Sequence, residues 1–231
     1  MAAPDRLQRI LSVLAAGGAT SWSSARLCAV CPHIVGVNGA GVMLMSGDTP
    51  RGTLCATDAV SQLIEELQYT LGEGPCVDAY HQDQVVAEPD LAEPETRRWF
   101  AFTPPALEAG VRAVFGFPMR VGDVRVGALN LYRDRPSPLT ADQHADALVM
   151  ADVAARWVLD AQNAAPPDSV PAELEDGADF HFAVHNAAGI ISVQLGIAVS
   201  EALVRIRAHA FGNDRTLTDV AQDVIARRLR L

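Results

Sequence analysis

Six arginines, Arg205, Arg207, Arg215, Arg227, Arg228 and Arg230, stand near the end of the chain. A guanidinium is a permanent charge on a flat donor fork, so a cluster of this kind suits phosphate contact and stacking on unpaired bases. Part of that charge is answered locally, because Glu201 and Arg205, and Asp223 and Arg227, are spaced as i,i+4 helix pairs. Arg207, Arg215, Arg228 and Arg230 have no equally obvious acid partner. Arg205 and Arg207 point to different faces of a helix, so one of the two is expected to work alongside His209.

The cysteines offer a second chemistry. Cys28-x-x-Cys31-Pro32-His33 places two thiols one helical turn apart, the spacing of half a zinc site. The other half is missing: there is no second C-x-x-C, and a haem attachment motif would carry histidine directly after the second cysteine. Buried helix cysteines are the simpler reading. Cys76 follows Gly74-Pro75, where a helix can begin, and a helix N-terminus lowers a thiol pKa, which opens a thiol-enzyme reading. Bilin or haem attachment at Cys76, His81 or His33 rests on one residue each. With no H-E-x-x-H, phosphate-loop or dinucleotide fingerprint, neither a metal nor a cofactor is implied.

These residues sit in a chain of 231, of which 49% are hydrophobic and 20% charged, enough for one sizeable core and a small second one. All 18 basic residues are arginine. The formal charge of −10 excludes unspecialised nucleic-acid binding. It is unevenly placed, however: residues 181–231 hold six arginines against four acids, or +2, leaving −12 on residues 1–180. The N-terminus lacks a signal-peptide layout and no apolar run approaches the ~18 residues of a membrane span, so a cytoplasmic protein is expected. In that reducing compartment Cys28, Cys31, Cys55 and Cys76 are expected as thiols.

Helical spacing over residues 5–15, and again through Leu27, Cys28 and Cys31 to Pro32, gives two helices. The period then changes. Gly41–Met45 and Gly52–Ala56 flank the turn Ser46-Gly47-Asp48, and Arg112–Pro118 and Val124–Tyr132 flank Gly122-Asp123, two hairpins. Gln84–Ala87 adds a fifth strand, Ser61–Tyr69 a helix, and Glu95–Gly110 is partly helical. Thr140 and Gln143 form a capping box for a long helix with Leu148, Val149, Val153, Trp157 and Val158 on its apolar side. Prolines and acids over residues 161–178 read as a flexible linker. Three helices follow: Val184–Leu195, stopped at Gly196; one capped by Ser200 and ended at Gly212-Asn213; and one capped by Thr218, with Asp219 at its positive end.

Two stretches resemble known families. Ala187-x-Gly189, Gln194-Leu195-Gly196, Ser200-Glu201-Ala202-Leu203, Ile206-Arg207-x-His209-Ala210 and Leu217-Thr218-Asp219-Val220-Ala221 together resemble the ANTAR domain, an RNA-binding three-helix module of bacterial transcription antiterminators. Gly36-Val37-Asn38-Gly39-Ala40-Gly41, Gln68-Tyr69-x-Leu71-Gly72-Glu73-Gly74-Pro75-Cys76, Gly110-Val111-Arg112-Ala113, Phe117-Pro118 and Gly127-Ala128-Leu129-Asn130-Leu131-Tyr132 resemble the GAF domain. The implied fold is α+β: a GAF-like antiparallel sheet with flanking helices over residues 1–162, a linker over 163–178, and a small all-α ANTAR domain over 179–231.

The resemblances imply a regulator in which the GAF part senses a small molecule or dimerises, and the ANTAR part binds hairpin loops in leader RNA and promotes antitermination. Expected RNA contacts are His185, Asn186, Gly189, Arg205, Arg207, His209, Arg215, Arg227, Arg228 and Arg230. Many ANTAR relatives carry lysine after the first alanine of the Ala187-x-Gly189 triplet. Here that position is Ala188, which removes one phosphate-binding cation. Met43, Met45, Cys76, Tyr80, Phe117 and Leu129 are candidates for a ligand pocket, although strand alternation fits them equally to a core. The long helix, through Val153, Trp157 and Val158, is the expected homodimer face. Two alternatives stay open: an interaction module that does not touch RNA, and a thiol redox enzyme of the GAF-fold methionine sulfoxide reductase kind, whose further cysteine near Arg112–Val114 is lacking. No enzymatic activity is expected.

Overall fold

The computed structural model describes residues 3–16, 23–47, 49–94, 97–164, 172–213 and 215–231. The chain divides into two compact units, Met1–Leu174 and Glu175–Leu231.

In the first unit, strands β1 (Gly39–Ser46), β2 (Thr49–Ala56), β3 (Val86–Glu88), β4 (Ala113–Val121) and β5 (Val124–Arg133) form one antiparallel sheet in the order β2-β1-β5-β4-β3. Both expected hairpins are present. The pleat sends alternate residues to opposite faces. Phe115, Phe117, Met119, Leu129 and Leu131 meet α1 (Ala3–Ala15), α2 (Ser24–Val35) and α6 (Ala141–Ala164) in the larger core. Val114, Ala128 and Tyr132 join Ile64 of α3 (Ala59–Leu71), Cys76 and Ala79 of α4 (Pro75–Gln82) and Ala106 of α5 (Thr103–Glu108) in the other. Gly116 makes that second layer possible, since a Cβ there would overlap the Pro75 carbonyl of α4.

Several local expectations hold in atomic detail. Thr140 N–H donates to Gln143 Oε1 at 3.0 Å and Gln143 N–H to Thr140 Oγ1 at 3.3 Å, closing the capping box. Helix α2, by contrast, does not stop at Pro32. Losing the proline N–H forfeits one helical bond, while continuing buries Ile34 and Val35, and Gly36 then ends the helix at φ 75° with its N–H on the Pro32 carbonyl. Along α6 the buried stripe is Ala147, Met150, Ala151, Val153, Ala154, Ala155 and Val158, and Leu148 is exposed.

The second unit is built from α7 (Ala172–Leu195), α8 (Val199–Gly212) and α9 (Leu217–Ile225), the three helices expected from the sequence. Their core is Val184, Ala187, Ala188 and Ile191 with Ala202, Leu203, Ile206, Ala210, Leu217, Val220, Ala221 and Val224. Three boundaries move. Of the expected linker, residues 163 and 164 end α6, 165–171 lie outside the described residues, and 172–178 are helical, in keeping with the helix-forming Ala172-Glu173-Leu174-Glu175 after Pro171. The cap of α8 is Ala198 rather than Ser200, without a side-chain bond. The cap of α9 is Thr216 rather than Thr218; its Oγ1 accepts from Asp219 N–H at 3.1 Å, an earlier start that carries Leu217 into the core.

Candidate functional site

The expected thiols are not all thiols. Folding β1 and β2 back on α2 brings Cys28 and Cys55 to a Cα separation of 6.0 Å, and the two form a disulfide, while Cys31 and Cys76 are free and buried. Nor does the α4 N-terminus leave Cys76 an acidic thiol. Burial, with the Glu65 carboxyl nearby, pushes it well above its ordinary value, outweighing a hydrogen bond with Gln68. Among the described residues no group of three His, Cys, Asp or Glu could hold a metal ion.

The six pocket candidates are all buried, and they do not surround one cavity. Phe117 and Leu129 pack toward α2 and α6, whereas Cys76 packs on the opposite face. What lies beneath α3 and α4 is a polar cluster that sequence reasoning missed. Asn130 Nδ2 donates to Glu65 Oε1 at 3.0 Å, and Cys76 N–H donates to Gln68 Oε1 at 2.7 Å. Glu65 Oε2, Gln68 Nε2 and Asn130 Oδ1 are buried without a hydrogen-bond partner among the described residues. The Glu65 carboxyl, pressed over Gly41, is pushed up to about 8 by desolvation, against the lowering effect of Asn130. The available signal was Asn130, a polar residue inside the apolar run Val126–Leu131.

The residues expected on a dimer face divide by burial. Val153 and Val158 are buried in the larger core of the first unit. Trp157 is half-buried and lines a groove of about 590 Å³ with Leu7, Leu11, Asp152, Val153, Arg156 and Asp160.

In the second unit the ten expected RNA contacts separate by what holds them. Glu201 pairs with Arg205 at 3.3 Å, as its spacing predicts. Asp223 does not take Arg227. It pairs with Arg215 and Arg228, each at 2.7 Å, and Arg215 followed by Arg228 holds its carboxyl below the usual range. Arg227 escapes because α9 ends at Ile225 and residue 227 turns to φ 59°, off the helical spacing. Arg207 is engaged as well. Arg227 and Arg230 are exposed, and neither forms an ion pair among the described residues.

These two cations line one groove of about 280 Å³ with Ile190 and Gln194 of α7, Ile225 and Leu229. Asn186, exposed, lies one turn before Ile190 on the same face of α7. Gln194 was missed as a contact, although it was visible in the Gln194-Leu195-Gly196 motif. His185, Gly189 and His209 are half-buried. Ala188 is fully buried in the stripe 184, 187, 188, 191, so the position expected to have lost a phosphate-binding cation does not face solvent.

A family model of the GAF domain matches residues 25–156, and the chain belongs to the GAF domain family, whose members act as signal-sensing or dimerisation modules. Among solved structures, the GAF domain of a phosphoenolpyruvate-protein phosphotransferase from Coxiella burnetii is similar at 11% identity and a TM-score of 0.51, over 70% of this chain and 95% of that one. The corresponding domain from Acinetobacter gives 12% and 0.49 over 71% and 97%. The GAF domain of a two-component sensor histidine kinase from Bacillus halodurans gives 12% and 0.45 over the same shares. At such identities the likeness concerns the fold. No curated protein matches the chain. Among the described residues no single helix is long and apolar enough to cross a membrane.

Proposed function

We propose that this chain is a signal-responsive RNA-binding regulator: the GAF unit receives a signal, and the C-terminal unit grips a hairpin loop in a leader transcript and favours antitermination. One observation carries the RNA contact. Arg227 and Arg230, two arginines of the C-terminal unit with no acid partner among the described residues, converge with the Gln194 amide on a single groove. Arg227 and Arg230 hold phosphates there, Gln194 and Asn186 read base edges, and Ile190 and Leu229 floor the groove under a base. The antitermination role rests on the ANTAR-like motifs.

The test is fluorescence anisotropy of the full chain on a two-hairpin leader RNA across a salt series. Arg227→Ala with Arg230→Ala is expected to weaken binding and to lower the log–log salt slope by about 1.4, or ~0.7 for each phosphate left unneutralised on a single strand. Arg205→Ala, which removes a cation already paired, is the control expected to bind like the parent. A double variant with the parent's affinity and slope would remove this groove from the RNA interface.

A second reading, a protein-interaction module, draws on Val204 and Phe211, two turns apart on α8 and 59% and 70% exposed. In that case RNA binding is absent at low salt in the parent as well.

A further inference from the structure

The Cys28–Cys55 disulfide joins two elements of unequal firmness. Cys28 is fully buried on α2, which packs against α6, β1 and β2. Cys55 is half-buried on β2, an edge strand that pairs with β1 alone among the described residues. The pairing of β2 slips directly beside it: Val42 faces Cys55 but Met43 faces Thr53, so Leu54 is an extra residue, and a second slip follows between Leu44 and Met45. A bulged edge strand is a part of a sheet that moves at low cost. Exchangeable disulfides are those with an accessible sulfur, whereas buried structural ones resist the cellular thiol pool.

We propose that Cys28–Cys55 is a reversible thiol–disulfide exchange site, entered at Cys55 by a low-molecular-weight thiol, whose opening releases β2 from α2. The thiolate of that small molecule attacks Cys55 Sγ. The Cys28–Cys55 bond breaks, a mixed disulfide forms on Cys55, and Cys28 leaves as a thiolate and takes up a proton. A second small thiol, as its thiolate, then attacks the mixed disulfide, freeing Cys55, which is protonated, and forming the small-molecule disulfide. Two electrons and two protons pass to the protein, and two small thiols are oxidised to one disulfide. Cys31, one turn from Cys28, takes no part: burial holds its thiol near 12, protonated at neutral pH.

The experiment equilibrates the full chain in buffers of graded glutathione to glutathione disulfide ratio, alkylates free thiols and maps them by mass spectrometry. Cys28 and Cys55 are expected to convert together within that range, with Cys31 unchanged, and the amides of residues 49–56 to exchange faster in the reduced form. In Cys28→Ser, glutathione disulfide is expected to leave its adduct on Cys55; in Cys55→Ser the buried Cys28 stays unmodified. The idea is overturned if the pair remains oxidised, or remains reduced, at every ratio. It is equally overturned if the adduct settles on Cys28 or Cys31, or if exchange of 49–56 is the same in both forms. The first measurement uses the unsubstituted protein, so the outcome does not depend on a variant's folding.

Discussion

The two units place their polar chemistry on opposite sides of their surfaces. In the GAF unit it lies inside: Glu65, Gln68 and Asn130 are sealed beneath α3 and α4 with three atoms unsatisfied among the described residues, and Arg6 is buried with its guanidinium between Asp142 and Asp146. In the C-terminal unit the interior is aliphatic and the six arginines stand outside it, four engaged with acids or other groups and two left over. An inward polar cluster responds to what enters or titrates, because in a low-dielectric interior a small change in charge is a large change in energy. An outward cationic rim responds to what approaches, and salt weakens it. The division of labour proposed above follows from that contrast.

The largest expected effect tests the inward half. Glu65 has its folded pKa raised from 4.5 to about 8. The associated stability is therefore full below the unfolded pKa, falls as the pH climbs from 4.5, and is gone once it passes about 8. The loss is on the order of 5 kcal/mol. Urea denaturation at pH 5, 6.5 and 8 should show Glu65→Gln gaining on the parent as the pH rises; parallel curves would mean the carboxyl is not held neutral.

Next in size is the covalent tie. The disulfide closes 27 residues, and a loop of that length stabilises by about 3–4 kcal/mol through the unfolded chain. Cys28→Ala with Cys55→Ala should lower stability by that amount, read as a drop in the urea midpoint under oxidising conditions and as little change under reducing ones. Equal midpoints in both conditions for the parent would show that the tie adds nothing. The smallest effect lies in the outer unit. Thr216→Ala removes the α9 cap and should cost about 1 kcal/mol, with amide exchange faster at Asp219, whose N–H the hydroxyl holds. If Thr218→Ala cost more than Thr216→Ala, the cap would belong where the sequence pattern alone puts it.

Much of the architecture was legible residue by residue. The Gly122-Asp123 hairpin, the Thr140–Gln143 box and the stop at Gly196 are each decided within a few positions by turn sterics or a cap bond, so local pattern suffices for them. Two candidates, Arg227 and Arg230, met around one groove, while Phe117 and Cys76 were separated by the sheet between them. The errors cluster where one residue had several partners in reach. Asp223 had Arg227 at helical spacing, yet the end of α9 at Ile225 turned that arginine away and brought Arg215 and Arg228 instead.

Element order, the two hairpins, the excess of positive charge in residues 181–231 against the acidic remainder, and the resemblances followed from residue types and their local spacing. The partner of Cys28, the neutral Glu65 over Gly41, the burial of Ala188 and the meeting of Gln194 with Arg230 did not. Each is a contact between segments far apart in the chain, and such contacts are chosen by how the sheet and helices close on their cores, a decision that no short window of sequence contains.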